Sequence, residues 1–157
     1  QLDAALANYA EVISRDLNTD VSEIPGAGAS GGLGAGLMGF FDARLRLGAD
    51  IVLEAVGLEK HLEGADLVIV GEGQFDRSTV FNKSPVAVAQ RAKIKGLPVI
   101  GIAGSLGAGF AEVHDHGIDA VFSLVSRPMS LKAAMDDTKR LVAIATEEAC
   151  RAIALSI

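Results

Sequence analysis

Three short apolar runs in the second half of the chain constrain its fold more than any other feature. Each run is continuous rather than alternating and is stopped by glycine or serine, as is typical of strands buried on both faces of a parallel sheet. The runs read ADLVIVGEG (residues 65–73), LPVIGIAGS (97–105) and IDAVFSLVS (118–126). Segments with helical periodicity separate and follow them, at 85–95, at about 109–116 and from Ser130 onward. This order predicts an α/β fold in which a three-layer parallel sheet is flanked by helices.

The first 62 residues have a different pattern. Apolar residues recur at helical spacing from Leu2 to Ile13, and further helices are expected at about 30–47 and at 51–61. We therefore divide the chain into a glycine-rich helical segment, residues 1–62, and a Rossmann-like βαβαβα segment, residues 63–157. The first segment is expected to contribute to a second domain or to an interdomain cleft. Because the helical pattern is already under way at Gln1, we expect the chain to be a piece of a longer polypeptide.

Charge and cysteine content exclude several classes of function. The net charge is −6 and the isoelectric point is near 5.0, with no basic cluster, so nucleic acids and anionic membranes are not expected partners. The longest apolar stretch is interrupted by Ser30 and ends at Asp42, which is too short to span a bilayer comfortably. Cys150 is the single cysteine, which rules out an internal disulfide and fits a reducing compartment, so we expect a cytoplasmic protein.

Charged and hydroxylated side chains are concentrated after the first predicted strand, in GEGQFDRSTVFNKS (residues 71–84). Ligands of parallel α/β proteins bind beyond the carboxyl ends of the strands. Glu72, Asp76 and Lys83 supply two carboxylates and a cation, which phosphoryl transfer requires for a metal ion, an acceptor hydroxyl and the moving charge. A helix expected to begin with Ser84 as its cap offers free N–H groups to an anion. Ordinary solvated surface charges would explain the same spacing, so both interpretations stay open.

The glycine-rich stretch PGAGASGGLGAGLMGFF (residues 25–41) matches a dinucleotide-binding pattern. Gly26, Gly28 and Gly31 stand at the spacing G-x-G-x-x-G, and Glu54 lies at about the distance of a ribose-binding acid. This match is the basis of an alternative function, an NAD-binding oxidoreductase module. The segment before it is polar and ends in Pro25, which makes a poor buried strand.

Two other interpretations of the same stretch do not need a dinucleotide. A backbone nest from Gly26 to Gly32 would bind an anion through its N–H groups. Alternatively, Gly28, Gly32 and Gly36, spaced four residues apart, would let another helix pack closely. The second of these suits a non-catalytic α/β interaction domain that docks against another domain or an identical chain.

The sequence AGSLG (residues 103–107) nearly matches the nucleophile elbow of hydrolases. Such a hydrolase needs an acid and then a histidine in separate downstream loops. Asp115 and His116 occur in that order, but they are adjacent at a predicted helix end and cannot form a relay. We therefore interpret Ser105 as part of a turn that contacts a nucleotide, not as a nucleophile.

Three blocks together resemble the C-terminal part of the type I glycerate kinases. They are IPGAGASGGLGAGLMGFF, LEGADLVIVGEGQFD…KSPVAVAQRAK and PVIGIAGSLG…HGIDAVFSLV…MSLKAAM, which run in order across essentially the whole chain. The resemblance implies an enzyme of two α/β domains with the active site between them, whose N-terminal half is absent here. It implies ATP-dependent, magnesium-dependent phosphorylation of D-glycerate, generally giving 2-phosphoglycerate. It also implies that this chain is inactive without the missing portion, which is its expected partner beside a second copy of the chain.

The resemblance assigns Gly26, Gly28, Gly31 and Gly32 to a loop that lines the cleft, and it places Glu72, Asp76 and Lys83 in the loop already selected from the residues, for which we expect individual roles. Asp76 would orient or deprotonate the acceptor hydroxyl, Glu72 would help to hold Mg²⁺, with Asp76 as a second candidate ligand, and Lys83 would neutralise charge on the transferred phosphoryl group. The residues expected to bind substrate or phosphate are Gly26, Gly28, Ser30, Gly31, Gly32, Ser78 and Ser105.

The chain departs from the family pattern T-G-E-G-R-x-D-x-Q-[ST]-x-x-G-K-x-P-x-G-V-A at five positions. Loss of the family's arginine removes a fixed, planar group of hydrogen-bond donors. Asparagine tolerates the left-handed conformation that the replaced glycine adopts most easily. The departures are Val70 for Thr, Gln74 for Arg, Ser78 for Gln, Asn82 for Gly and Ala87 for Gly.

Overall fold

A computed structural model describes residues 1–81 and 83–155. Its internal contacts divide the chain into two compact units, residues 1–47 and residues 48–157, here called the N-terminal and C-terminal units. Residues 48–62, which the sequence pattern grouped with the glycine-rich part, contribute to the C-terminal unit. Among the described residues, no helix is both long and apolar enough to cross a bilayer.

The N-terminal unit is a pair of helices, α1 (Leu2–Leu17) and α2 (Ala29–Phe41). The expected helix at about 30–47 is shorter than predicted, because Asp42 adopts a left-handed conformation with φ 51° and ends it after Phe41. The first turn of α2 is also irregular. Ser30, Gly31 and Gly32 have φ values of 53°, 71° and 89°, so a left-handed turn precedes the regular helix.

Close packing explains the spacing of the glycines in α2. A Cβ atom added to Gly32 would lie 3.0 Å from the Tyr9 ring and 3.2 Å from Leu6, and one added to Gly28 would lie 3.2 Å from Leu6. At Gly36 the added atom would lie 2.7 Å from the Tyr9 hydroxyl oxygen. The predicted role of these glycines in helix packing is therefore confirmed, with α1 as the partner helix. The core of the unit consists of Ile13, Val21, Ala27, Ala35 and Met38.

The contact between Gly36 and Tyr9 gives a test of this packing. Gly36→Ala should lower the free energy of unfolding, by about 1–3 kcal/mol as is usual for overpacking. In a Tyr9→Phe background the nearest remaining ring atom is 3.9 Å from the added Cβ. There the same substitution should stabilise the chain by up to about 1 kcal/mol, since alanine favours helix over glycine. Urea titration of the four proteins measures both effects, and equal effects in the two backgrounds would contradict the packing interpretation.

In its described residues the C-terminal unit has three strands within a series of helices, and its α/β class is as predicted. The strands are β1 (Val68–Phe75), β2 (Val99–Leu106) and β3 (Ala120–Ser123). The helices are α3 (Gly48–Ala55), α4 (Leu58–His61), α5 (Ser84–Ile94), α6 (Leu131–Asp136) and α7 (Thr138–Ala154), with 3₁₀ helices at Arg77–Val80 and Phe110–His116.

Several predicted helix boundaries in this unit were wrong for local reasons. The expected helix at 51–61 is two helices, because Gly57 adopts φ 68° between them. The expected final helix is divided at Asp137 into α6 and α7. Ser130 caps α6 as predicted, since its hydroxyl oxygen accepts the Ala133 N–H at 3.2 Å. Ser84 does not cap α5, because the capping position is Lys83 and no side chain caps it.

The sheet is parallel, in the order β1-β2-β3, and helices pack on both faces. On one face α5 packs through Val86 and Ala89, and on the other α7 packs through Ala145 and Ala149. Phe75, at the end of β1, is fully buried. Its ring lies against the backbone of β2, where a Cβ added at Gly101 would come within 2.5 Å of it.

Candidate functional site

Glu72 lies inside β1, not in the loop beyond it. The sequence placed the end of this strand before Glu72, but pairing with β2 continues as far as Phe75 opposite Leu106. The strand therefore runs through the Gly-Glu-Gly sequence, which the apolar pattern alone could not predict. Glu72 is half-buried there and lines two separate cavities of the C-terminal unit.

The first of these, the polar cavity, has a volume of about 430 Å³. It brings Glu72 together with Lys83 and Ser84, which lie at the start of α5. Helix α3 contributes the rest of the lining, with Gly48 and Ala49 from its first turn and Val52 and Leu53 from its second. The amino ends of two helices and one lysine thus face the same space, and free N–H groups and positive helix ends favour an anion. The cavity is suited to a phosphoryl or carboxylate group beside one carboxylate of the protein.

Asp76 begins the 3₁₀ helix Arg77–Val80 and caps it. One of its carboxylate oxygens accepts hydrogen bonds from the Ser78 N–H at 2.8 Å and the Ser78 hydroxyl at 2.6 Å. These hydrogen bonds, with a contribution from the charge of Lys83, hold the pKa of Asp76 below its usual value, although desolvation acts in the opposite direction. Asp76 is therefore ionised at neutral pH, in the electrostatic neighbourhood of Lys83.

The second cavity, the apolar groove, has a volume of about 810 Å³ and runs along β1 and the end of β2. Its few polar groups include Glu72 and Ser105. Ser105 lies within β2 and pairs with Gln74, so it is not at a strand-to-helix turn and the nucleophile-elbow geometry is absent. The apolar lining comes mainly from Ile69, Ile102, Leu124, Met129, Leu131, Met135, Leu141 and Val142.

The glycine turn (residues 26–32) belongs to the N-terminal unit. Gly26, Gly28, Ser30 and Gly31 are exposed, whereas Gly32 is buried against α1. A dinucleotide fingerprint must follow a strand, but residues 1–67 contain no strand. The NAD-binding interpretation is therefore wrong, because the turn follows α1 and its proposed acid, Glu54, lies in α3.

The carboxylates of the C-terminal unit could hold a metal ion only if a bound substrate supplied some of the metal's ligands. Among residues 1–81 and 83–155, no group of three or more His, Cys, Asp or Glu side chains is arranged to hold a metal ion. Mg²⁺ usually takes one or two protein carboxylates and completes its shell with water and substrate phosphates. Glu72 and Asp76 have the oxygen donors for that arrangement, so they suit magnesium bound together with a nucleotide.

The sequence analysis did not predict that α3 forms a wall of the polar cavity. The signal for the helix start was present, since Gly48 is followed by Asp50 in the first turn. What the sequence could not indicate is that this turn packs beside Lys83 and Ser84, more than thirty residues later. Of the five departures from the family pattern, Val70 is buried in the core of the C-terminal unit. Asn82 lies outside the described residues.

Comparison with known proteins gives a consistent result. Residues 1–154 match the model of the glycerate kinase family. The chain is 50% identical over 155 residues to a glycerate kinase of Halalkalibacterium halodurans, covering 99% of this chain and 40% of that protein. It is 51% identical over 126 residues to the glycerate 2-kinase of Escherichia coli K12, covering 80% of this chain and 33% of that protein. A crystal structure from Salmonella typhimurium LT2 that carries the name glycerate kinase 2 matches with a TM-score of 0.71 and 42% identity, covering 98% of this chain and 39% of that one.

Proposed function

The chain belongs to the glycerate kinase family, and from that premise we propose that it is the catalytic C-terminal part of an enzyme that phosphorylates D-glycerate with ATP. The product proposed is 2-phosphoglycerate. Because the chain spans only about 40% of the length of its relative from H. halodurans, the activity is proposed for the larger assembly. The chain alone is expected to be inactive, and the partner it requires is the remainder of the family's length. We propose a cytoplasmic location, where ATP for this reaction would be available.

One observation carries the proposal. Glu72, Lys83 and the amino ends of α3 and α5 line one cavity, and the ionised Asp76 lies close enough to Lys83 for their charges to interact. Phosphoryl transfer depends on positioning and on electrostatic stabilisation more than on covalent chemistry by the protein. The cavity has the cationic and anionic groups that this requires.

Each group has a proposed role. Lys83 and the N–H groups at the start of α5 bind the γ-phosphoryl oxygens and stabilise the charge that spreads over them. Glu72 would hold Mg²⁺, which would supply neutralising positive charge for the phosphates. Asp76 accepts the proton of the glycerate hydroxyl while that oxygen bonds to the γ-phosphorus, and the bond from phosphorus to the ADP oxygen breaks. Asp76 is also the second candidate ligand of the metal.

The remaining candidates are assigned to substrate binding. Ser78 and Ser105 are proposed to contact the nucleotide or the glycerate through their hydroxyl groups. The exposed part of the glycine turn is proposed to bind an anionic group through its backbone N–H groups. The residues concerned are Gly26, Gly28, Ser30 and Gly31, with Gly32 fixing the turn against α1.

A chimera tests the proposal. This chain replaces the matching region of the H. halodurans relative, and ADP release is measured with ATP, Mg²⁺ and D-glycerate. We expect turnover by the chimera, none by the chain alone, and 2-phosphoglycerate as the product identified by ³¹P NMR. In the chimera, Lys83→Ala should weaken MgATP binding at least tenfold. An inactive but folded chimera would favour a non-catalytic interaction domain, and unchanged affinity in the variant would make Lys83 an ordinary surface residue.

A further inference from the structure

Strand β1 has the composition of an interior strand but lies at the edge of the sheet. In the described part of the chain it pairs with β2 only. Its apolar start, Val68–Ile69–Val70, is the kind of continuous run found where both faces and both edges of a parallel strand are covered. Ile69 is nevertheless 44% exposed.

The two edges of the sheet differ in a way that identifies β1 as the incomplete one. Natural edge strands are short or carry lysine, proline or bulges that prevent further pairing. The opposite edge, β3, is only four residues long. By contrast, β1 has eight residues, VIVGEGQF, with no lysine and no proline. Its free backbone groups are a ready template for another strand.

The backbone geometry shows which amides are available for that strand. In a parallel pair, alternate amides point towards the neighbouring strand. The Val68 N–H donates to the Pro98 carbonyl oxygen at 2.9 Å, so it faces β2. The N–H groups of Ile69 and Gly71 therefore point towards the free side.

The helix layer on one face of the sheet is incomplete over the same strand. Helix α7 covers β2 and β3 on that face through Ala145 and Ala149, which pack on Ile100 and Ile102. Over β1 the apolar groove takes the place of a helix. Its rim exposes large apolar side chains, with Leu131 77%, Met135 67% and Val142 40% accessible. Apolar surface of this kind marks an interaction site rather than ordinary solvent exposure.

We propose that β1 and the apolar groove form the surface on which the rest of the family's chain completes the sheet. The occupant is one strand that pairs with the free edge of β1, and a helix next to it that fills the groove. The length of the relatives supports this choice, because the chain accounts for 40% of the H. halodurans protein and 39% of the Salmonella chain. The inference rests on family membership and not on the catalytic roles proposed above.

The test measures whether the chain associates with the rest of the family's length when no substrate is present. The tagged chain is co-expressed with the part of the H. halodurans relative that lies outside the match, and complexes are measured by light scattering and titration. We expect a one-to-one complex. Ile69→Lys and Gly71→Pro should each raise Kd at least tenfold, the first by placing a charge in the interface and the second by removing an outward N–H.

Matched controls separate this result from misfolding. A Cβ at Gly71 would have no neighbour closer than 3.7 Å, so Gly71→Pro should leave the thermal unfolding of the chain alone nearly unchanged. Ile144, 42% exposed on α7 and outside the groove lining, gives Ile144→Lys as a control that should bind normally. Lys83→Ala should also bind normally, whatever its effect on activity. A homodimer blocked by the same two variants, no complex at all, or a complex insensitive to both would overturn the proposal.

Discussion

Asp76→Asn in the chimera is expected to lower kcat by about 10²- to 10⁴-fold, the usual contribution of a general base. The substitution is a clean probe because asparagine keeps the oxygen that accepts the two Ser78 hydrogen bonds and caps helices as well as aspartate does. The 3₁₀ helix should therefore stay in place while the negative charge is lost. The KM for MgATP should change little. A raised KM with normal kcat would instead identify Asp76 as a metal ligand, and wild-type values would remove it from the mechanism.

The pH profile of the chimera gives a second readout of the same group. Asp76 is ionised above a pKa that Ser78 helps to depress, so activity should be lost as the pH falls through that value. Ser78→Ala removes the hydroxyl donor but keeps the backbone N–H, and it should raise the pKa. The fall of kcat at low pH should therefore begin at a higher pH in this variant. If that part of the pH profile does not shift, a group other than Asp76 controls the loss of activity.

Phe75→Ala is expected to be the most destabilising single substitution in the sheet, at about 3–5 kcal/mol for a fully buried phenylalanine. Phe75 is completely inaccessible and belongs to the core between the sheet and α5. The ring lies against the backbone at Gly101, and a backbone segment held in β2 cannot move in to fill the space that alanine leaves. A loss of this size is a large part of the stability of an ordinary domain.

This effect is measured by urea unfolding of the isolated chain, with unfolding monitored by a spectroscopic probe placed in the C-terminal unit. Phe81→Ala is the matched control, because Phe81 is 73% exposed and its loss should change the free energy of unfolding by less than about 0.5 kcal/mol. Equal effects at the two positions would show that Phe75 does not anchor the end of β1.

The sequence predicted the α/β class because its strands are uninterrupted apolar runs, and runs of that kind have few alternatives. It failed where one residue's backbone conformation decided a boundary. Asp42 shortened α2 and Gly57 divided the helix before the sheet, both by adopting positive φ. Such conformations depend on the packing around them, which local periodicity does not report.

The sequence predicted which segment of the chain carries the candidate site, but not how its side chains are arranged in space. Glu72 and Lys83 were selected together from their spacing, and the structure places both on the polar cavity. The sequence could not indicate that α3 closes this cavity, because that contact joins segments about thirty residues apart. The hydrogen bonds between Asp76 and Ser78 are local, and an aspartate followed by Ser78 and Thr79 is a capping signal that the sequence analysis missed.

The contact of Phe75 with Gly101 has an evolutionary consequence. Neither residue can change alone without cost, because a methyl group on β2 and an aromatic ring on β1 would need the same volume. Across related enzymes the residues at these two positions should covary. A residue larger than glycine at the position of Gly101 should accompany a residue smaller than phenylalanine at the position of Phe75. Lineages carrying the pair seen here should keep it, even where the surrounding surface has diverged.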